Sequence, residues 1–374
     1  MGLKPAFKKI LVIKIRSMGD TVLMTASLQA LTRAFPEAKL HVLVASEWSS
    51  LLESNPRIDK VWRYERHRDA KSRAKALAKM AIRLRREQFD CVVNLHASPS
   101  SALLAFATGA KTRSIHFHGH KDRNRFSTVT VPDKGKLKPV IERDLDAIRA
   151  LGLEIPTGLM PRVEVDRKSL NEAKEILGKT TLPRPLLILG LGSSRPTKSW
   201  PLDRFVSTAI RFCRETGGTA IALTGPGETS LSQDFLKTVD DVLTSQEMDL
   251  PTRSALRLRI GHQHALPLPL VSAVMSQADL FLGNDSGPKH LAVALGIGTV
   301  TLFGPEDPFE WHPYPQALHP YFFIEGLKCR RDAMPGMPPW CGLEVCVEEE
   351  HKCMKMIGTE AVLQKCIELL NSKK

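Results

Sequence analysis

The chain has 374 residues, of which 43% are hydrophobic and 25% charged, and its formal net charge is +13. That length carries two domains with a core each, and no apolar run approaches the roughly 20 residues of a membrane span. The positive balance favours an anionic partner, but a nucleic-acid binder is the weaker reading, with no recognition motif, no interleaved aromatics and only three Tyr in the chain.

The N-terminus is basic and runs into the apolar stretch "ILVIKI". Lys14 interrupts that stretch and a Gly-Asp turn follows it, so a first strand is expected rather than a secretory leader, and a protein that stays in the cytoplasm. "TVLMTASLQALTRAF" sets Val22, Leu23, Ala26, Leu28, Leu31 and Phe35 at helical spacing. "KLHVLVA" is a second strand, which completes a β-α-β unit. The alternation continues through "DKVWRY", a helix near 67–88, "FDCVVNLH", "SSALLAFATGA" and "TRSIHF", then the helix "IERDLDAIRALGL". A junction follows at 153–185, with Pro156, Pro161, Pro183 and Pro185 around the helix "RKSLNEAKEILGK". Beyond it the pattern restarts: strands "LLILGLG", "TAIALTG", "DLFLGN" and "TVTLFG", helices "DRFVSTAIRFCRET", "LPLVSAVMSQA" and "GPKHLAVALG". The expected fold is α/β, two doubly wound Rossmann-like domains that face each other across a cleft. The domains are expected at 1–180 and 181–350, with a last helix in 351–374 that crosses back to the first.

In such sheets ligands bind beyond the carboxyl ends of the strands, and each polar junction of interest follows a strand. In "RSMGD", Asp20 points to the cleft or caps the next helix. In "GLGSSRPTK", Ser193 and Ser194 bring hydroxyls and amides, and Lys198 a mobile positive charge; a plain solvated loop is the alternative. In "TGPGE", Glu228 can accept hydrogen bonds from ribose hydroxyls or a base. In "GNDSGPKH", Ser286, Gly287 and the amides after them suit a phosphate at a helix start, with His290 one turn on, unless Asn284 or Asp285 merely caps the helix. The presence of Asp285, a carboxylate, where an anion would bind is explained either by Lys198, an amide or a sugar hydroxyl as its partner, or by a bound Mg²⁺.

Between Lys60 and Asp90 there are eleven Lys and Arg against four Asp and Glu. In the helix of that segment Ala70, Ala74, Leu77, Ala81 and Leu84 form one face, and Lys71, Lys75, Lys79 and Arg86 lie away from it. A solvated face and a dock for anionic lipid or phosphorylated oligosaccharide both fit. His96, Arg113, His116 and His118 are the acceptor-side candidates. Cys329, Cys341, Cys346 and Cys353 are spaced unlike a zinc ribbon, and packed thiols are favoured over a metal site.

The segments "ILVIKIRSMGDTVLMTASLQALTRAFPEAKLHVLV", "IERDLDAIRALG", "KSWP" and "NDSGPKHLAVALGIGTVTLFGPEDPFEWHP" together resemble glycosyltransferase family 9, known for ADP-heptose:lipopolysaccharide heptosyltransferases. The resemblance runs from about Ile10 to Pro313. It implies the GT-B architecture, transfer with inversion from ADP-heptose to a phosphorylated lipopolysaccharide core, no required cofactor, and work at the inner face of the inner membrane. It makes Asp20 the catalytic base and Lys198 the phosphate-binding lysine. The hydroxyl pair falls on Ser193 and Ser194, where threonines are common, the nucleoside contact on Glu228, and the donor motif on Asp285, Ser286, Gly287 and His290. Another nucleotide sugar as donor, or a GT-B epimerase or hydrolase, are the alternatives.

Overall fold

The structure is a computed structural model that describes residues 6–116, 125–131, 138–178, 182–330, 341, 343–348 and 350–372. The chain divides into two compact units, 1–164 and 165–374.

The first unit runs β1 (Lys9–Lys14), α1 (Met18–Ala34), β2 (Lys39–Ala45), β3 (Lys60–Tyr64), α2 (Ala70–Arg86), β4 (Cys91–Asn94), α3 (Pro99–Ala107), β5 (Thr112–Ile115) and α4 (Val140–Arg149). Its sheet has the order β3-β2-β1-β4-β5, every pair parallel. The central strands are buried on both faces, which explains the unbroken apolar reading of β1 and β2. Leu11, Ile13, Leu43, Val92 and Ala105 belong to one core that also takes in Leu84 of α2. α1 starts at Ser17, whose hydroxyl accepts from the Asp20 amide.

The second unit runs α5 (Arg167–Ile176), β6 (Leu186–Gly190), a 3₁₀ turn (Pro196–Lys198), α6 (Leu202–Thr216), β7 (Thr219–Thr224), α7 (Thr229–Ser245), α8 (Leu250–Leu258), β8 (Ile260–His264), α9 (Leu268–Ser276), β9 (Leu280–Asn284), α10 (Gly287–Ala294), β10 (Gly298–Phe303), α11 (Pro308–Trp311), β11 (Tyr321–Phe323), α12 (Lys352–Lys355) and α13 (Thr359–Asn371). Its six parallel strands are ordered β11-β10-β9-β6-β7-β8. α6 stops where Gly217 turns left-handed at φ 72°. Phe205, Phe212, Phe235, Leu189 and Leu282 lie in its core.

One boundary differs from expectation. The division falls at 164/165 rather than near 180, because α5 packs against α9 of the second unit. α13, expected as a helix crossing back to the first domain, buries Val362, Leu363, Cys366 and Leu369 in the second unit's core and packs on α6. Among the described residues no helix is long and apolar enough to cross a membrane.

Both sheets reverse strand order at one place, between β1 and β4 and between β6 and β9. Such a switch point opens a crevice at the carboxyl ends of the two strands, the general location of ligands in doubly wound sheets.

Candidate active site

At the switch point of the second unit, β6 leads into the loop with Ser193, Ser194 and Lys198, and β9 leads into Asp285 and α10. Asn284 ties the two junctions together. Fully buried, it accepts from the Trp200 amide at 2.9 Å and donates to the Leu191 carbonyl at 2.7 Å. Trp200 is pinned in turn by its indole N–H on the Ile357 carbonyl at 3.1 Å. The "KSWP" run thus fixes the far end of the loop that carries Lys198.

Lys198 Nζ lies 2.7 Å from Asp285 Oδ2 and 4.0 Å from Glu306 Oε1. Lys289 Nζ takes the other Asp285 oxygen at 2.6 Å. Burial by itself would raise the Asp285 carboxyl; the ammoniums of Lys289 and Lys198 outweigh it and hold Asp285 well below the usual carboxylate range. Asp285 is therefore an anchor for lysines, and its side chain does not cap α10. Ser286 stands at the N-cap with no side-chain hydrogen bond to the helix, and Gly287 and Pro288 open the first turn. The first amides of a helix have no intrahelical acceptor, and these are left without a side-chain cap. Glu306 pairs with Arg195, and burial raises its carboxyl despite the nearby Lys198 and Arg195.

Ser193 Oγ bonds the Arg195 carbonyl at 2.6 Å and Ser199 Oγ at 2.8 Å, so it braces the loop, while Ser194 is exposed. Glu228 stands at the start of α7 but does not cap it. Its Oε2 accepts from the Gly225 amide at 2.7 Å, and the carboxylate lies close against Gly192, where a Cβ would come within 1.9 Å of Oε1. The glycine keeps Glu228 beside the β6 loop.

His290, expected in the donor motif one turn into the helix, is a neutral member of it. It is 4% exposed, its Nδ1 meets the Tyr314 hydroxyl at 2.5 Å, and burial, with Lys289 next, holds it well below the ordinary histidine range. At neutral pH it carries no charge, so any contribution to an anion is a neutral hydrogen bond. Lys289, Glu306 and Arg195 were not singled out in the sequence. Lys289 sits one helical turn from Asp285, which was a legible signal; the Arg195–Glu306 pair spans 111 positions and was not.

The first unit has its own cluster at the switch point. Asp20 is 5% exposed and sits in the first turn of α1. It is not the cap: Ser17 is, and the Ser17 hydroxyl also donates to Asp20 Oδ2 at 2.6 Å. Lys14 Nζ is 3.7 Å from Asp20 Oδ1 and Arg16 Nε 3.8 Å from Oδ2. Burial would raise this carboxyl, and Lys14, Arg16 and Ser17 together carry it below the ordinary value instead. Lys14, the charge that interrupts the first strand, is held by Asp144 of α4 at 2.7 and 2.8 Å. Oδ1 of Asp20 receives no hydrogen bond from any described residue. It is a buried, ionised oxygen with a lone pair to spare.

His96, just past β4, lies within electrostatic reach of Asp20 and Arg16. Burial first, then Arg16 and Lys14, push it down to about 4, and its Nδ1 has no hydrogen-bond partner among the described residues. His116 is buried directly after β5, its amide on the Asn94 carbonyl at 2.8 Å. His118 lies outside the described residues. Arg113 is displaced from its expected acceptor role: it sits inside β5 rather than at its carboxyl end, and its guanidinium is spent on the Phe126 carbonyl at 2.8 Å and the Ala110 carbonyl.

On α2 the packed residues are Leu77, Met80, Ala81 and Leu84. Ala70 and Ala74, expected on the apolar face, are exposed, because only the second half of the helix meets the core. Lys71, Lys75, Lys79 and Arg86 are exposed as expected, beside Ile82 at 57% exposure. Cys329, Cys341, Cys346 and Cys353 do not form the metal-site candidate: among the described residues no three His, Cys, Asp or Glu side chains group so as to hold an ion. Cys353 packs on the second unit's core and burial pushes its thiol up to about 11, while the Cys341 backbone is bound to Pro305 and Arg195.

Two parallel Rossmann-like units in one chain, each with charged residues at its switch point, are the build of a GT-B glycosyltransferase. The model of glycosyltransferase family 9 (heptosyltransferase) matches residues 77–331, and the chain belongs to that family. It is similar to lipopolysaccharide heptosyltransferase 3 of Escherichia coli (strain K12), 25% identical over 310 residues that cover 81% of this chain and 85% of the relative. Among solved structures it resembles a glycosyl transferase family 9 protein from Veillonella parvula, with a TM-score of 0.75 and 20% identity over 99% of both chains. It also resembles the ADP-heptose lps heptosyltransferase II of E. coli, with a TM-score of 0.73 and 17% identity over 98% of this chain and 99% of the other.

Proposed function

We propose that this glycosyltransferase moves a heptose from ADP-heptose to a phosphorylated lipopolysaccharide core acceptor in one displacement that inverts the anomeric carbon. The observation that carries the reading is the second unit's switch point, where Lys198 stands beside a helix start that no side chain caps, in a chain whose relatives are lipopolysaccharide heptosyltransferases. Lys198 and the α10 amides meet the diphosphate and stabilise it as it departs. Glu228 receives the nucleoside, with Gly192 leaving it room. Asp20 takes the proton of the attacking hydroxyl; its ionised Oδ1, with Lys14 3.7 Å away but no hydrogen-bond donor on it among the described residues, suits a general base.

Transfer proceeds without a metal ion in this reading. The two carboxylates nearest the diphosphate, Asp285 and Glu306, are already paired with Lys198, Lys289 and Arg195, so neither is offered to a cation. The protein works in the cytoplasm against anionic membrane, with the exposed cations of α2 and Ile82 as the contact. A direct test is heptose transfer in excess EDTA, with the anomeric configuration of the product read by NMR. Inverted product at full rate supports the scheme. Retained configuration, or loss of turnover restored by Mg²⁺, overturns the corresponding step.

A further inference from the structure

Lys289 has a cost that its packing alone does not explain. Its side chain is fully buried on α10, where an apolar residue would need no counter-ion. The ammonium donates to Asp285 Oδ1 at 2.6 Å and to the Trp311 carbonyl at 2.9 Å, and lies 4.6 Å from the centre of the Phe303 ring. One carboxylate is thus shared between two ammoniums, with Lys198 on its other oxygen.

The charge count decides what this does. Arg195, Lys198 and Lys289 are three cations, and Asp285 and Glu306 two anions. Without Lys289 the two remaining cations would be fully matched by the two carboxylates they pair with, with Glu310 a further acid within electrostatic reach of Glu306. We propose that Lys289 is a positioning residue for the donor: it occupies one oxygen of Asp285, so that this carboxylate fixes Lys198 in place without cancelling the positive charge the diphosphate meets. This rests on the reading that the site takes a nucleoside diphosphate.

The groups facing Lys289 are Asp285 from the β9–α10 turn, Lys198 from the 3₁₀ turn, His290 on its own helix and His312 after α11, with Glu306 behind Lys198. Burial holds both histidines neutral at pH 7. Burial also pushes Lys289 down to about 8, against the pull of Asp285. Raising the pH through that value removes the excess charge, so donor affinity falls. A bound diphosphate opposes the loss, so binding takes up a proton.

The experiment is calorimetric titration of the full chain with ADP from pH 7 to 9.5, in buffers of different ionisation enthalpy. For the wild type we expect affinity to weaken roughly tenfold across the range, with net proton uptake near pH 8.5. Lys289→Met should bind roughly tenfold more weakly at pH 7 and show neither the pH slope nor the uptake. Lys289→Arg should restore affinity at pH 7 and stay flat above it, which a merely structural role would not produce. Wild-type binding without proton uptake overturns the inference, even if the methionine variant fails to fold. A Lys289→Met variant with the wild-type pH profile overturns it as well. If the folded wild type bound no ADP at all, the nucleotide reading itself would fall, and this inference with it.

Discussion

Replacing Asp20 with Asn separates chemistry from structure, because the geometry lets most of the local structure survive. The carboxamide keeps an oxygen for the Ser17 hydroxyl, and Ser17 still caps α1 through the residue-20 amide. What disappears is the negative charge. At an effective dielectric of about 20, the 3.7 Å contact with Lys14 amounts to about 4 kcal/mol of attraction. Arg16 is 40% exposed, and solvent screens its share to well under that. The desolvation of Asp20 opposes both, and Lys14 retains Asp144 on both oxygens. The net loss of stability is therefore expected at about 1–2 kcal/mol, a fall in Tm of a few degrees. The chemical loss is larger: without a general base, kcat should drop by about 10²–10⁴. ADP binding, measured by calorimetry, should change less than threefold, since the ADP site is assigned to the second unit. The folded-state carboxyl lies below its ordinary value, so the base is ionised throughout the neutral range. Activity controlled by Asp20 should persist as pH falls through 5 and be lost only as the pH drops through that depressed value. Near-normal kcat in a folded Asp20→Asn protein would refute the assignment. Equal loss of ADP binding and turnover would make Asp20 structural.

Three further outcomes follow from named contacts. Asp285→Ala leaves Lys289 buried without its counter-ion and should cost about 3–5 kcal/mol, read as a Tm drop far larger than that of Asp20→Asn; a drop of only a degree or two would contradict the buried pairing. Gly192→Ala puts a methyl 1.9 Å from Glu228 Oε1 and should displace that carboxylate, weakening ADP binding with little change in Tm; unchanged ADP affinity would remove Glu228 from the nucleoside site. Joint reversal of Lys71, Lys75 and Lys79 to Glu should weaken sedimentation with anionic vesicles by at least tenfold while leaving ADP binding intact, and undiminished sedimentation would sink the membrane role of α2.

The strand-helix alternation was readable because parallel strands buried on both faces are written as short apolar runs, "ILVIKI" and "LLILG" being the plainest. β8 was not foreseen: it is an edge strand, and its residues Gly261, His262, Gln263 and His264 are half-buried and polar. α7 and α8 also went unnamed, since their polar faces dilute the helical period. At the site, Asp20, Lys198, Glu228 and Asp285 stand out in the sequence by their place after a strand and their type, whereas Arg195 and Glu306, which also follow strands, do not. The partners that set their charge were less so. Asp144 reaches Lys14 across 130 positions and Glu306 reaches Arg195 across 111, contacts that no local pattern encodes. Burial and local pairing decided the rest, leaving His290 neutral on Tyr314 and Arg113 as a brace for two carbonyls.

The most direct test of the central claim is a mass measurement on product. Purified protein would be incubated with ADP-heptose and a panel of truncated, phosphorylated lipopolysaccharide cores, with Asp20→Asn as the paired control. The account predicts a gain of one heptose on one acceptor, absent or strongly reduced in the control. No gain on any acceptor by a protein that still binds ADP would contradict heptose transfer to the core while leaving the fold and the nucleotide site standing.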